Sequence, residues 1–367
     1  MCCLFLLSAC RLPGTVRPTV KIGLVAPFEG RYRYVGYDVI YAVRLALREA
    51  NAASFSLEGE QRGGGGYSVE LVAYDDEADP AMAVEQARKL AVDPAVVAGI
   101  GHFREGTTFA ALSVYTESGI PLVVPAVPGS DLTLGEGDAY WLRPADSALA
   151  HALLSRVERD QVVALVSDGG PLGIALVEAT SQQRMQFSAA VSPDTADWLE
   201  GVLASNAYVV ICDASPVTAG EVVSALREAG WEGDFLGGPE LAAADFAAVA
   251  GEAAEGSVFV TPYPFPADVP GGADFVEAYR VISNGLTPGP LALPAYEATW
   301  VLLEALERDI AAHGRPTREG MALALPDTGR EGLLGPITFD TDSDWGGGLF
   351  YWYRIDARGM AHLMGED

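Results

Sequence analysis

Two kinds of segment alternate along most of this chain. Short apolar-biased runs occur at Val20–Pro27 and Val69–Tyr74, broken only by Lys21 and Glu70, and unbroken ones at Val96–Ile100 and Pro121–Val124. Between them lie stretches in which apolar residues recur every three or four positions. Gly36–Asn51 puts Ile40, Val43, Leu47 and Ala50 on one face, and Ala83, Ala87 and Leu90 repeat the arrangement after Pro80. Apolar strands between amphipathic helices predict a parallel sheet covered on both sides. Tyr140–Arg143 reads as one more strand, Pro144-Ala145-Asp146 breaks the pattern, and the alternation restarts at Gln161. It then runs through strand Val162–Ser167, helix Pro171–Arg184, strand Tyr208–Asp213, helix Val217–Gly230, and the apolar runs Phe235–Gly237 and Ser257–Tyr263. Helices follow at Asp274–Ser283, Ala295–Ala312 and Arg318–Leu325, and two strands close the chain, Ile337–Phe339 and Leu349–Ile355, with Asp340–Gly348 read as a hairpin turn. Ser54–Gly66, ending in four glycines with no helix after them, reads as a surface excursion and not a phosphate cradle.

The restart near residue 146 predicts a second lobe with its own sheet. Trp300, Leu303, Leu306 and Ile310 on the late helices need a surface to bury against, so the chain is expected to return to the first lobe near Pro262–Pro266 and to cross again near Gly335-Pro336. Several crossings form a hinge, and a hinge between two lobes forms a cleft. Ligands bind beyond the carboxyl ends of parallel strands. That directs attention to the loops Asp75–Asp79, Gly101–Gly106 and Pro125–Asp131.

Composition narrows the function classes. At 367 residues the chain has room for two cores, and half of it is hydrophobic. A net charge of −27, with Lys21 and Lys89 as the only lysines, excludes nucleic acid and anionic membrane surfaces as partners. Cys2, Cys3 and Cys10 crowd the first ten residues, and Cys212 stands alone, so it is expected as a buried thiol. Enzyme motifs fail one by one. Gly99-Ile100-Gly101 is followed by Arg104 where a dinucleotide fingerprint needs glycine. No Gly-x-Ser-x-Gly elbow exists, and His102, His151, His313 and His362 are scattered, so neither a hydrolase triad nor a zinc cluster is expected. Asp340-Thr341-Asp342-Ser343-Asp344 imitates the start of a calcium loop, but its glycine comes one place late and position twelve is Tyr351. No cofactor or metal is expected.

Two resemblances organise these readings. Leu7-Ser8-Ala9-Cys10 resembles the lipobox of a bacterial lipoprotein signal, although no basic segment precedes it. It implies lipidation at Cys10 and an extracytoplasmic protein held at the cell membrane, with residues 1–19 as signal and tether. The remainder resembles the type I periplasmic binding proteins of the leucine/isoleucine/valine branch, which serve ABC importers. The carrying motifs are Lys21–Pro27, Tyr74-Asp75-Asp76 with Asp79-Pro80, Ile100-Gly101-His102, Gly119-Ile120-Pro121, Gly238-Pro239-Glu240, Ala254-Glu255-Gly256, and Gly335-Pro336-Ile337 with Phe339-Asp340. The resemblance implies an α/β fold of two Rossmann-like, doubly wound lobes on a three-strand hinge. Residues 20–144 plus 263–335 would form the N-terminal lobe, and 145–262 plus 336–367 the C-terminal one. It also implies a monomer that takes up a small polar ligand, amino acid or amino-acid-like, and delivers it to a membrane permease. A ligand sensor of the same fold acting on a signalling partner is the alternative.

Site residues transfer unevenly. The family seats a ligand carboxylate on hydroxyl residues at two positions that are Glu105 and Pro128 here, and the aromatic cap on the ligand is replaced around Leu172. The acid that holds a ligand ammonium is retained as Glu240. Arg104 either grips a carboxylate in place of the lost hydroxyls or pairs with Glu105. His102 is read as a hydrogen-bonded scaffold beside Phe103. Ala126 and Val127 accompany Pro128; Tyr32 and Tyr34, with Arg31 and Arg33, are candidate walls; Asp168, Asp213, Ser215 and Tyr263 hold matching places in the second lobe.

Overall fold

The computed structural model describes residues 17–52, 66–129, 139–158, 161–183, 187, 189–341, 343–346 and 349–365. The lipobox with Cys10, and the excursion from Ser54 to Gly65, lie outside the described residues. Five strands, β1 (Thr19–Ala26), β2 (Ser68–Asp75), β3 (Val96–Ile100), β4 (Leu122–Val124) and β5 (Ala139–Trp141), form an all-parallel sheet in the order β2-β1-β3-β4-β5. Its helices are α1 (Arg33–Ala52), α2 (Pro80–Ala91) and α3 (Glu105–Ser118). Local chemistry fixes their ends. Asp79 caps α2 by accepting from the Met82 N–H at 2.9 Å, with Pro80 in the first turn where no donor is needed. Gly119, at φ +63°, ends α3 in the left-handed conformation.

The chain crosses after Leu142 to helix α4 (Asp146–Ser155), which the sequence pattern hid behind Pro144. The second sheet has the order β14-β13-β10-β9-β8-β6-β7. Its parallel part comprises β6 (Val163–Ser167), β7 (Ala189–Val191), β8 (Val209–Asp213), β9 (Asp234–Gly237) and β10 (Val258–Thr261). Helices α5 (Pro171–Gln183), α6 (Trp198–Ala204), α7 (Pro216–Glu228) and α8 (Ala244–Ala250) belong to this lobe. The chain then returns: Tyr263, Phe275, Tyr279, Leu303, Leu306 and Ile310 share one core with β1 and α1. Helices α9 (Gly272–Ile282), α10 (Ala292–His313) and α11 (Arg318–Ala324) therefore cover the first sheet.

The last crossing is displaced from the expected 335/336. Strands β11 (Arg330–Gly332) and β12 (Gly335–Ile337) pair with each other. Ile337 and Trp345 are buried in the first lobe's core, and Trp141 exchanges backbone hydrogen bonds with Ser343 and Trp345 alongside β5. Residues 336–345 thus stay with the first lobe. Only β13 (Tyr351–Ile355) and β14 (Ala361–Leu363) join the second, antiparallel to their neighbours. The Asp340–Gly348 segment is accordingly no hairpin between closing strands. Its described residues fold locally, with Phe339 bridging Trp345, and the strands on either side enter different sheets. Periodicity identifies a strand but not its sheet, which explains the error.

Arg318 fastens the base of the first lobe. Its guanidinium donates to the carbonyls of Val96, Ser118, Ala91 and Asp93 at 2.8–3.0 Å, gathering the ends of α2 and α3 around β3. Arg318→Ala is expected to cost about 2–3 kcal/mol, the scale of lost hydrogen bonds to a charged group. Urea denaturation checks it, and a change below about 0.5 kcal/mol would remove Arg318 from that role.

Candidate functional site

The carboxyl ends of both parallel sheets meet across a cavity of about 740 Å³. Every parallel strand but β2 and β7 contributes. From the first lobe come Tyr34 at the start of α1, Phe103, Arg104 and Glu105 after β3, Ala126, Val127 and Pro128 after β4, and Arg143 and Asp146 after β5. From the second come Asp168 and Leu172 after β6, Asp213 and Ser215 at the end of β8, Glu240 after β9, and Tyr263 after β10. Phe103, Val127 and Leu172 are buried and give the cavity apolar walls. Tyr32 is not in the lining and supports Arg104 from behind.

Arg104 is held from two sides. Its guanidinium lies 4.1 Å from the centre of the Tyr32 ring, and Nη2 donates to the Tyr32 hydroxyl at 3.4 Å. Its Nη1 faces Glu240 Oε1 at 3.6 Å across the lobes, and this pair, not one with Glu105, is what forms. With both side chains about a third exposed or less (34% and 26%), such a pair contributes at most about 1 kcal/mol. A ligand able to contact both groups can therefore displace it. Burial first, and then the charge of Glu240, push the Tyr34 hydroxyl up, so it stays a neutral donor beside that acid. Glu105 opens α3 half-buried, and burial together with Asp146 raises its carboxyl. Arg143 is engaged with Asp146 in an ion pair, both side chains largely buried.

In the second lobe, Asp213 is 8% exposed. Its Oδ2 accepts from Ser167 Oγ at 3.0 Å and from the Gly173 N–H at 2.8 Å. Only glycine fits at 173, because a Cβ there would lie 2.2 Å from Ser167 Oγ and 2.7 Å from Asp213 Oδ2. Burial, then Glu240 and Asp168, outweigh those hydrogen bonds and raise the Asp213 carboxyl to about 7.

Several residues singled out from sequence have structural work. Ser215 caps α7, accepting from the Thr218 N–H at 3.3 Å. The Tyr263 hydroxyl lies 2.5 Å from the carbonyls of both Pro125 and Leu142, so its single proton is engaged within the crossing and it offers the cavity its ring. His102 lies in the buried row Asp76–His102–Tyr115, with contacts of 2.6 and 3.1 Å, outside the lining. The loop Asp75–Asp79 is likewise not part of the cavity. Asp75 accepts from the Phe28 and Glu77 N–H groups, Asp76 meets His102, and Asp79 is a helix cap. Sequence reasoning passed over Arg143 and Asp146, although they follow β5 just as Arg104 follows β3. Among the described residues, no group of three or more His, Cys, Asp and Glu side chains is arranged for a metal, and no helix is long and apolar enough to cross a membrane.

The same fold recurs among known proteins. A Leu/Ile/Val-binding protein homologue from Brucella abortus is 25% identical over 360 residues, spanning 94% of this chain and 92% of its own. A leucine-binding protein from Thermotoga maritima superposes with a TM-score of 0.80 at 22% identity, covering 94% of this chain and 98% of its own. The branched-chain amino acid transporter substrate-binding protein LivJ from Streptococcus pneumoniae, solved with isoleucine, gives a TM-score of 0.80 at 22% identity, covering 94% and 99%. The periplasmic binding protein profile matches residues 19–359. The chain therefore belongs to the periplasmic binding protein family, a family of extracytoplasmic solute-binding proteins of transporters and not of enzymes.

Proposed function

We propose that this solute-binding protein closes on an amino acid, or a compound that shares its zwitterionic head, and presents it to the membrane permease of an ABC importer. The carrying observation is the charge pair across the cleft. Arg104 projects from one lobe and Glu240 from the other, 3.6 Å apart. A ligand carboxylate takes the guanidinium bidentately and a ligand ammonium takes the Glu240 carboxylate, so one molecule replaces one weak ion pair with two charge-assisted contacts. Each contact joins the ligand to a different lobe, and ligand binding biases the protein toward closure. The family and the names of its relatives support the reading.

A thermal-shift screen tests it. A ligand at a hundred times its dissociation constant adds about 2.7 kcal/mol of stability. Stabilisation by at least one amino acid or amino acid amide is expected. A shift from sugars or nucleosides alone would overturn the ligand class. Tethering through a lipid on Cys10 and a monomeric solution state belong to the same proposal; Cys10→Ser is expected to release the protein from the membrane fraction.

A further inference from the structure

The cleft holds more negative charge than a neutral amino acid can answer. Arg143 is matched by Asp146, and Arg104 by Glu240. Arg280, on α9, is an exposed residue of the lining. Asp168 and Asp213 enter no ion pair among the described residues. They converge at Gly170, where a Cβ would lie 3.4 Å from Asp168 Oδ1 and 3.1 Å from Asp213 Oδ2. Both hydrogen bonds to the Asp213 carboxylate land on Oδ2, and Oδ1 accepts none among the described residues, in a nine-tenths-buried side chain of the cavity lining. Leu172, buried between this pair and Glu240, supplies an apolar strip suited to a methylene chain.

We propose that Asp168 and Asp213 seat a second cationic group on the ligand, so that the cleft selects basic amino acids of the lysine, ornithine or arginine class over branched-chain ones. This rests on the amino-acid reading above and adds the side chain to it. The geometry assigns each end of such a ligand a different partner: carboxylate to Arg104, α-ammonium to Glu240, side-chain cation to Asp213 with Asp168. It also gives a dependence on pH. The groups facing Asp213 are Asp168 and the α5 start on one side, Glu240 on another, Ser167 beside it and Cys212 behind it, whose thiol burial keeps protonated. Asp213 titrates near 7, and a cation binds its ionised form. Affinity for lysine therefore rises with pH, by up to about tenfold between pH 6 and 8, while leucine affinity stays flat.

Calorimetry with L-lysine, L-arginine and L-leucine on the whole mature chain, with Asp213→Asn, tests this. A basic amino acid is expected to bind at least tenfold more tightly than leucine at pH 8, with the preference shrinking at pH 6 and disappearing in Asp213→Asn. Should that variant not fold, Asp168→Asn, at an exposed position, is expected to cut lysine affinity about threefold. Leucine binding as tightly as lysine, or a preference untouched by these substitutions, overturns the side-chain assignment and leaves the amino-acid reading standing. Binding of sugars or aromatic acids with no amino acid bound overturns both.

Discussion

Replacing Glu240 by alanine is expected to weaken binding of an amine-bearing ligand by about 1.5–3 kcal/mol, the scale of a hydrogen bond to a charged group. In affinity that is roughly ten- to hundredfold. The loss falls on binding and not on folding, because the ion pair Glu240 makes with Arg104 is long and partly solvated. A second readout separates this from general damage to the cleft. The charge of Glu240 is the strongest neighbouring charge raising Asp213, so its removal moves the Asp213 titration downward. The pH profile of lysine binding is then expected to shift to lower pH. Calorimetry showing unchanged affinity would take Glu240 out of the site.

Glu297→Ala carries the largest expected cost in stability. Glu297 is fully buried on α10, accepting from Arg330 Nε at 2.6 Å through one oxygen and from the Leu333 N–H at 2.6 Å through the other. Gly332 lets the β11–β12 turn close over it; a Cβ there would lie 2.2 Å from Glu297 Oε2. Truncation strands a partly buried guanidinium and a backbone donor, a loss of about 3–5 kcal/mol. The melting temperature of the first lobe is expected to fall by roughly 5–15 °C, and a calorimetric scan within a degree of the wild type would refute the assignment. The cleft lies apart from this pair, so ligand affinity measured below the transition should be little altered.

Much of the fold was legible in the sequence, because parallel strands buried on both sides are short apolar words. Val96–Ile100 is a strand to the residue, and the helices of residues 33–52, 171–183 and 292–313 lie where apolar spacing put them. Several short elements escaped, among them α8, β11 and β14. Helix α4 starts just after a proline, and α6 and β7 are too short to show a period. The partnering of late strands also escaped, since Ile337 and Tyr351 look alike in sequence and lie in different lobes. For the site, the rule that ligands collect at strand tips located the side chains without showing which of them face each other. The Arg104–Glu240 pair joins residues 136 positions apart, and no local signal announces it. Pro128 and Glu105, standing where hydroxyls were expected, already pointed away from an ordinary carboxylate seat.

The late return of the chain to both lobes bears on how the molecule is put together. Strand β13 slots between β10 and β14, yet it emerges only after every helix of the first lobe. Until it arrives, β10 presents an unpaired flank, the kind of edge that recruits a neighbouring chain. Synthesis therefore leaves the second sheet unfinished until this segment is out, and a C-terminal deletion of some twenty residues should yield aggregates and not a smaller binding protein.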